Sequence, residues 1–238
     1  MRQTLNEFYS SLNRIRALAN HILQNTGQAL ANASVRELHE TQQCGSIVLL
    51  TGYFEAFLKD LVKAYMRDLC ATGVAFLSLP QSIQNKHYEG GGKILTKASE
   101  AGRKGLTTSF GSATREDIVS RLNSSSLSPN AGFQIVWEAF ADTGANPRAD
   151  VVKTIGKDLG LVDFWRAISN NSGSQATWSD TAITTKLDDL ISKRNSCAHT
   201  GIVTPIPTAS DILDFADMLT AVGEGFVKSL EAQLSNYP

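Results

Sequence analysis

Apolar residues recur at three- and four-residue steps over four long stretches of this chain, each reading as one face of an amphipathic helix. Leu5, Phe8, Leu12, Ile15, Ala19 and Ile22 make the first, which Gly27 is expected to end. Ser34 with Glu37 three residues on fits a capping box and opens a longer second helix. Its apolar face is Ile47, Leu50, Phe54, Phe57, Leu58, Leu61, Tyr65 and Leu69, and Cys44-Gly45-Ser46 is expected to kink or split it. The third opens near Thr181 with Asp180 as N-cap and Trp178 packing back on it, and carries Ile183, Leu187 and Leu190. Pro205 and Pro207 break the chain, and Thr208 or Ser210 then caps the fourth, with Ile212, Phe215, Leu219, Val222, Phe226, Leu230 and Leu234 on one face.

Between the second and third stretches the periodicity weakens. Gly73, Pro80, Gly90-Gly91-Gly92, Gly102, Gly105 and Gly111 punctuate short helices expected at Gln81–His87 and Lys93–Ala101. Further helical pattern follows at Arg115–Leu122, Ala131–Ala141, Arg148–Leu159 and Asp163–Ile168, then a polar loop from Asn170 to Ser174. No strand alternation and no internal repeat is evident. The reading is an all-α bundle of four principal helices, one domain over 1–238, with a helical, loop-rich insertion at about 71–160 between the second and third.

Composition narrows the function classes. A hydrophobic fraction of 42% with 19% charged residues is that of a globular protein, and a net charge of −1 argues against a wholly basic nucleic-acid binder while leaving room for a local basic groove. Cys44, Cys70 and Cys197 are odd in number and widely spaced, which supports neither a zinc site nor a disulfide framework, so no metal and no cofactor is expected. The N-terminus lacks an apolar signal core, and the most apolar run, Ile47 to Leu58, is too short to span a bilayer. A cytoplasmic protein with no membrane partner is expected.

Two basic features compete with plain solvation. Glu55, Lys59, Lys63 and Arg67 recur at four-residue steps; the ordinary reading is a wet face, the sharper one an electropositive wall of Lys59, Lys63 and Arg67. Lys86, His87, Lys93, Lys97, Arg103 and Lys104 make the segment around the glycine triplet the most basic, a candidate phosphate-tracking arm. Gly90-Gly91-Gly92-Lys93 is not a phosphate loop, because His87 stands where the first glycine belongs and Ile94 follows the lysine; a flexible loop is expected. His21, His39 and His87 read as isolated surface or cap residues.

The chemistry concentrates at Lys193-Arg194-Asn195-Ser196-Cys197-Ala198-His199-Thr200-Gly201, the end of the third helix. Arg194 lies four residues past Leu190 and so toward the core, where a lone charge is costly. Either a carboxylate receives it, Glu55, the one acid inside the second helix's apolar run, being the best candidate, or it lines a cleft open to water and a ligand. His199 is in line with Asn195 and Ser192, so Asn195 is placed to orient the imidazole. Arg194 and His199 lie about 140° apart around an ideal helix. Either the helix distorts near Gly201 or two copies of the motif meet across a symmetric interface. A histidine acid/base beside an arginine fork suits phosphodiester cleavage in RNA, where the ribose 2′-OH supplies the nucleophile. Lys59, Lys63 and Lys193 are the candidate RNA contacts. Cys197 reads as a small core residue rather than a nucleophile.

Arg194-Asn195, then Ala198-His199, at the end of the third principal helix resembles the HEPN superfamily signature, in which an arginine followed by a polar residue precedes a histidine by a few positions. Thr51-Gly52-Tyr53-Phe54-Glu55-Ala56-Phe57-Leu58-Lys59 and Gly160-Leu161-Val162-Asp163-Phe164-Trp165 are similar to stretches in longer bacterial HEPN proteins of the RiboL-PSP and related kinds, a resemblance spanning most of the chain. The resemblance implies a metal-independent endoribonuclease acting as a homodimer with its Arg/His pairs facing each other, in toxin or phage-defence roles, with an antitoxin or defence-system protein as possible partner. It assigns Arg194 to the phosphate, His199 to acid/base work and Asn195 to support. The alternative is a catalytically silent HEPN-type module that binds RNA, a nucleotide or a protein. Short HEPN toxins silenced by nucleotidylation carry a tyrosine two places after the histidine; Gly201 stands there, so that control is not implied.

Overall fold

The computed structural model describes residues 1–104, 113–130, 132–144, 146–173, 178–201 and 203–237, and no strand occurs among them. The helices are α1 (Arg2–Gln24), α2 (Thr26–Ala31), α3 (Ala33–Ala71), α4 (Gln81–Arg103), α5 (Arg115–Leu127), α6 (Ala149–Asp158), α7 (Phe164–Asn171), α8 (Asp180–Thr200) and α9 (Ala209–Leu234). The all-α reading holds. The four long apolar faces correspond to α1, α3, α8 and α9, and α3 and α9 pack against α1, α8 and each other at the centre of the bundle. All six apolar positions of α1 are buried, and α9 buries Ile212, Phe215, Leu219, Val222, Phe226 and Leu230.

Local chemistry sets the helix ends, and several differ from expectation. Asn32 rather than Ser34 caps α3, accepting from the Ser34 amide. Ser179 rather than Asp180 caps α8, and the Asp180 carboxylate instead accepts a 2.6 Å hydrogen bond from Ser169 that ties α7 to α8. Thr208 and Asp211 form a reciprocal capping box on α9. Gly27 lies inside α2, and α1 ends earlier at Gln24. Cys44-Gly45-Ser46 leaves α3 one unbroken helix of 39 residues, because Cys44, Ser46 and Ile47 are held in the core.

The insertion corrects the sequence reading most. The glycine triplet lies within a continuous α4 rather than in a flexible loop or between two short helices. A Cβ at Gly90 would sit 2.8 Å from the Ala139 Cβ, and one at Gly91 2.9 Å from Leu122 Cδ2. These glycines let α5 and the turn at Trp137–Ala139 approach the helix closely. The helix expected at Ala131–Ala141 is instead an irregular segment with a 3-10 turn at Trp137–Ala139; Ala131 lies outside the described residues, as do Gly105, Gly111 and Ser174. Phe133, Ile135, Val136 and Phe140 from this segment join the same buried cluster as the bundle.

His39 and His87 are buried, not surface residues, at 8% and 0% exposure. His87 Nδ1 accepts from the Val136 amide at 3.2 Å, so Nε2–H faces Ser125 Oγ at 2.9 Å. Burial pushes this imidazole down to about 4. No described helix is long and apolar enough to cross a membrane.

Candidate functional site

The Arg194-to-His199 stretch closes α8. Ile183, Leu187, Leu190 and Ile191 are fully buried, and they fix which side of α8 meets α3 and α9. Cys197, one of the last core positions of the helix, is 7% exposed and lies against Cys44 of α3. Burial and the neighbouring Cys44 thiol push the Cys197 thiol up to about 12, which leaves it protonated and poorly nucleophilic. Gly201 ends α8 with φ 71°, its amide bonding to the Cys197 carbonyl. This left-handed residue lets the helix stay regular through His199.

That regularity decides the geometry. Arg194 is half-buried, whereas His199 is exposed. On an undistorted helix they point about 140° apart. Within one chain the two are therefore not aimed at a common point. Arg194 Nη1 donates to Asn195 Oδ1 at 3.0 Å, so the carboxamide oxygen serves the guanidinium, not the imidazole.

Glu55 reaches Arg194 through its field rather than through a close ion pair. Its Oε1 accepts from Lys59 Nζ at 2.9 Å and from Thr143 Oγ1 at 2.9 Å. Partial burial pushes the Glu55 carboxyl up, but the bonds from Lys59 and Thr143 and the charges of Lys59 and Arg194 outweigh it and hold the group below its ordinary range. Glu55 stays a carboxylate and supplies a negative wall facing Arg194. Thr143, 4% exposed, is a member of this cluster that sequence reasoning missed. Nothing near it in sequence points to α3.

The candidate RNA lysines divide. Lys59 is held by Glu55 and Lys193 by Asp189, at 2.9 Å and 2.7 Å. Lys63 stands over the Trp137 ring with Nζ 5.5 Å from its centroid. In the basic segment around the glycines, Lys86 pairs with Asp158 and Lys97 with Asp142, which neutralises much of that arm.

Beside the site, α3 carries an unusual outer face. Leu38, Gly45, Leu49, Gly52 and Ala56 recur on one side of the helix and are exposed, Leu38 by 55% and Leu49 by 45%. A Cβ at Gly45 or Gly52 would meet nothing within 4 Å. Cys44 and Glu55, one residue before Gly45 and Ala56, turn toward α8, so this smooth stripe borders the α3–α8 contact.

A family model described as RiboL-PSP-HEPN matches residues 9–236. No curated protein and no solved structure matches the chain. The match runs from the first long helix through the last and takes in the arginine and histidine at the end of α8. With an all-α bundle and that pair in place, this chain belongs to the RiboL-PSP-HEPN family.

Proposed function

We propose that this protein is an endoribonuclease of HEPN type that cleaves single-stranded RNA as a homodimer, without a metal ion, in a toxin or phage-defence setting with an antitoxin or defence-system protein as partner. One observation carries the reading. A regular α8 presents a half-buried arginine and an exposed histidine on divergent faces, which supports a site completed by a second copy. The smooth, exposed α3 stripe beside them supports a self-complementary contact, since small residues permit close approach of two helices.

In the proposed reaction, His199 takes the proton from a ribose 2′-OH and the oxygen attacks the adjacent phosphorus. Arg194, oriented by Asn195, holds the non-bridging oxygens and offsets the charge that builds on them. The bond from phosphorus to the 5′-oxygen breaks as the imidazolium proton passes to the leaving oxygen. The products are a 2′,3′-cyclic phosphate and a 5′-hydroxyl. Glu55 sets the local field around Arg194, and Lys193, half-buried on the same turn, has a hold on Asp189 exchangeable for a phosphate.

The test is cleavage of single-stranded RNA by pure protein in EDTA, with the product ends analysed. Arg194→Ala and His199→Ala are each expected to retain helical content and to lose about a hundredfold or more in rate. Wild-type rates in both variants would remove the reading. Tight RNA binding with no cleavage by the wild type would favour a silent binding module instead.

A further inference from the structure

A second group of uncommitted polar side chains, outside the Arg194–His199 region, lies farther along α3. A cavity of about 610 Å³ opens between α1, α3, α5 and the turn at Trp137–Ala139, a size typical of small-ligand sites. Ile135 and Met66 supply an apolar floor and the half-buried Trp137 a broad aromatic wall.

The polar groups here are partly spent and partly available. Arg121 is committed to the 1% exposed Glu138 by contacts of 2.7 Å and 2.8 Å, which braces the wall and neutralises both. Arg67 is paired with Asp68 at 2.8 Å. Glu7 accepts from the Gln3 amide at 2.9 Å. Two charges remain. Among the described residues Lys63 has no ion pair within 4 Å and rests on the Trp137 ring, and Asp60 has no hydrogen bond. Burial, with the Glu7 charge adding to it, holds the Asp60 carboxyl above its ordinary range against the attraction of Lys63 and Lys59.

An aromatic face with one available cation and one carboxylate without a donor, Lys63 and Asp60 three residues apart on a helix, matches a ligand that is flat, anionic at one end and a donor at its edge. A nucleotide with an amino-bearing base has that chemistry. We propose that this cavity is a nucleobase pocket for the RNA strand, with Trp137 stacking on the base, Lys63 on its phosphate and Asp60 accepting from its exocyclic amino group. Lys63 is eight residues beyond Glu55 on one helix, or about 12 Å. A strand with one phosphate at Arg194 can therefore follow α3 into the pocket. When the base arrives it takes the ring face, and the flexible lysine stem carries the ammonium across to the phosphate. The location of the strand rests on the ribonuclease reading; the pocket chemistry does not.

The prediction is selectivity for adenine and cytosine over uracil, which lacks the amino group. Labelled oligoadenylate, oligocytidylate and oligouridylate are titrated by fluorescence anisotropy in EDTA onto full-length His199→Ala protein, so the strands stay intact. Oligoadenylate and oligocytidylate are expected to bind more tightly than oligouridylate, and Asp60→Asn to remove that preference. Trp137→Ala should weaken binding about tenfold or more, whereas Trp137→Phe, still a stacking surface, should retain most of it. Lys63→Gln should lower the salt dependence of binding. Equal affinity for the three strands, or an unchanged preference in Asp60→Asn, would overturn the proposal, as would a folded Trp137→Ala that binds like its parent. Should Trp137→Ala fail to fold, Asp60→Asn and Trp137→Phe decide alone, and a Trp137→Phe that folds normally yet loses binding would overturn it. Selective binding without cleavage by the wild type would leave the pocket standing and remove the catalytic reading; cleavage that depends on His199, with binding insensitive to these variants, would do the reverse.

Discussion

Glu55 and Thr143 stand 88 positions apart in the chain and are joined by a 2.9 Å hydrogen bond. That bond ties the insertion to the central helix at the point where Glu55 faces Arg194. Thr143→Val keeps the side chain's shape and removes the donor, leaving Glu55 with Lys59 alone. A stability loss of about 1–2 kcal/mol is expected in urea unfolding, the lower part of the range for a bond to a charged group because this one is only part-buried. RNA cleavage should fall as well, because the Glu55 carboxylate is freer to turn onto Arg194.

If the site is shared between protomers, two inactive proteins repair each other. Arg194→Ala and His199→Ala, unfolded together and refolded as a mixture, form heterodimers in which one of the two composite sites keeps both residues. Partial recovery of RNA cleavage is expected, measured against each variant refolded alone. No recovery, with heterodimers demonstrated by mass, would place both residues of a working site in one chain.

His87 makes stability depend on pH on the acid side. Its folded value of about 4 lies below the ordinary 6.5, so the folded state holds the neutral ring. Above pH 6.5 neither state binds the proton and the contribution is complete. As pH falls from 6.5 to about 4 the unfolded chain takes up a proton that the folded protein refuses, and up to roughly 3 kcal/mol is lost. Urea titrations at pH 7.5, 6, 5 and 4.5 should show the decline, and His87→Gln should be less stable at pH 7.5 but flatter across the series.

Gly201→Ala tests how the last turn of α8 is held. Its φ of 71° is unfavourable for alanine, while the space around a Cβ is open, so the effect is backbone strain alone. A loss of about 1 kcal/mol is expected. Fraying should concentrate at His199, so hydrogen exchange in that turn should quicken and RNA cleavage drop more than global stability does.

The sequence by itself determined the helical class, the four long helices and the residues of the motif. Each of these rests on contacts within one or two turns: apolar residues at three- and four-residue steps in α1, α3, α8 and α9, and Arg194, Asn195 and His199 within six positions. Tertiary structure decided the rest. The glycines of α4 look like a loop until Ala139 and Leu122 are seen to press against them. His87 looks like a surface residue until Val136 and Ser125 close over it from 49 and 38 positions away. Glu55 looks like a partner for Arg194 until Thr143 arrives from the insertion, and Lys63 looks like one more wet lysine until Trp137 lies beneath it. Helical periodicity reports only which face of a segment is apolar. Which distant surface that face meets is set by packing among elements far apart in sequence, where shape and the satisfaction of buried polar groups decide.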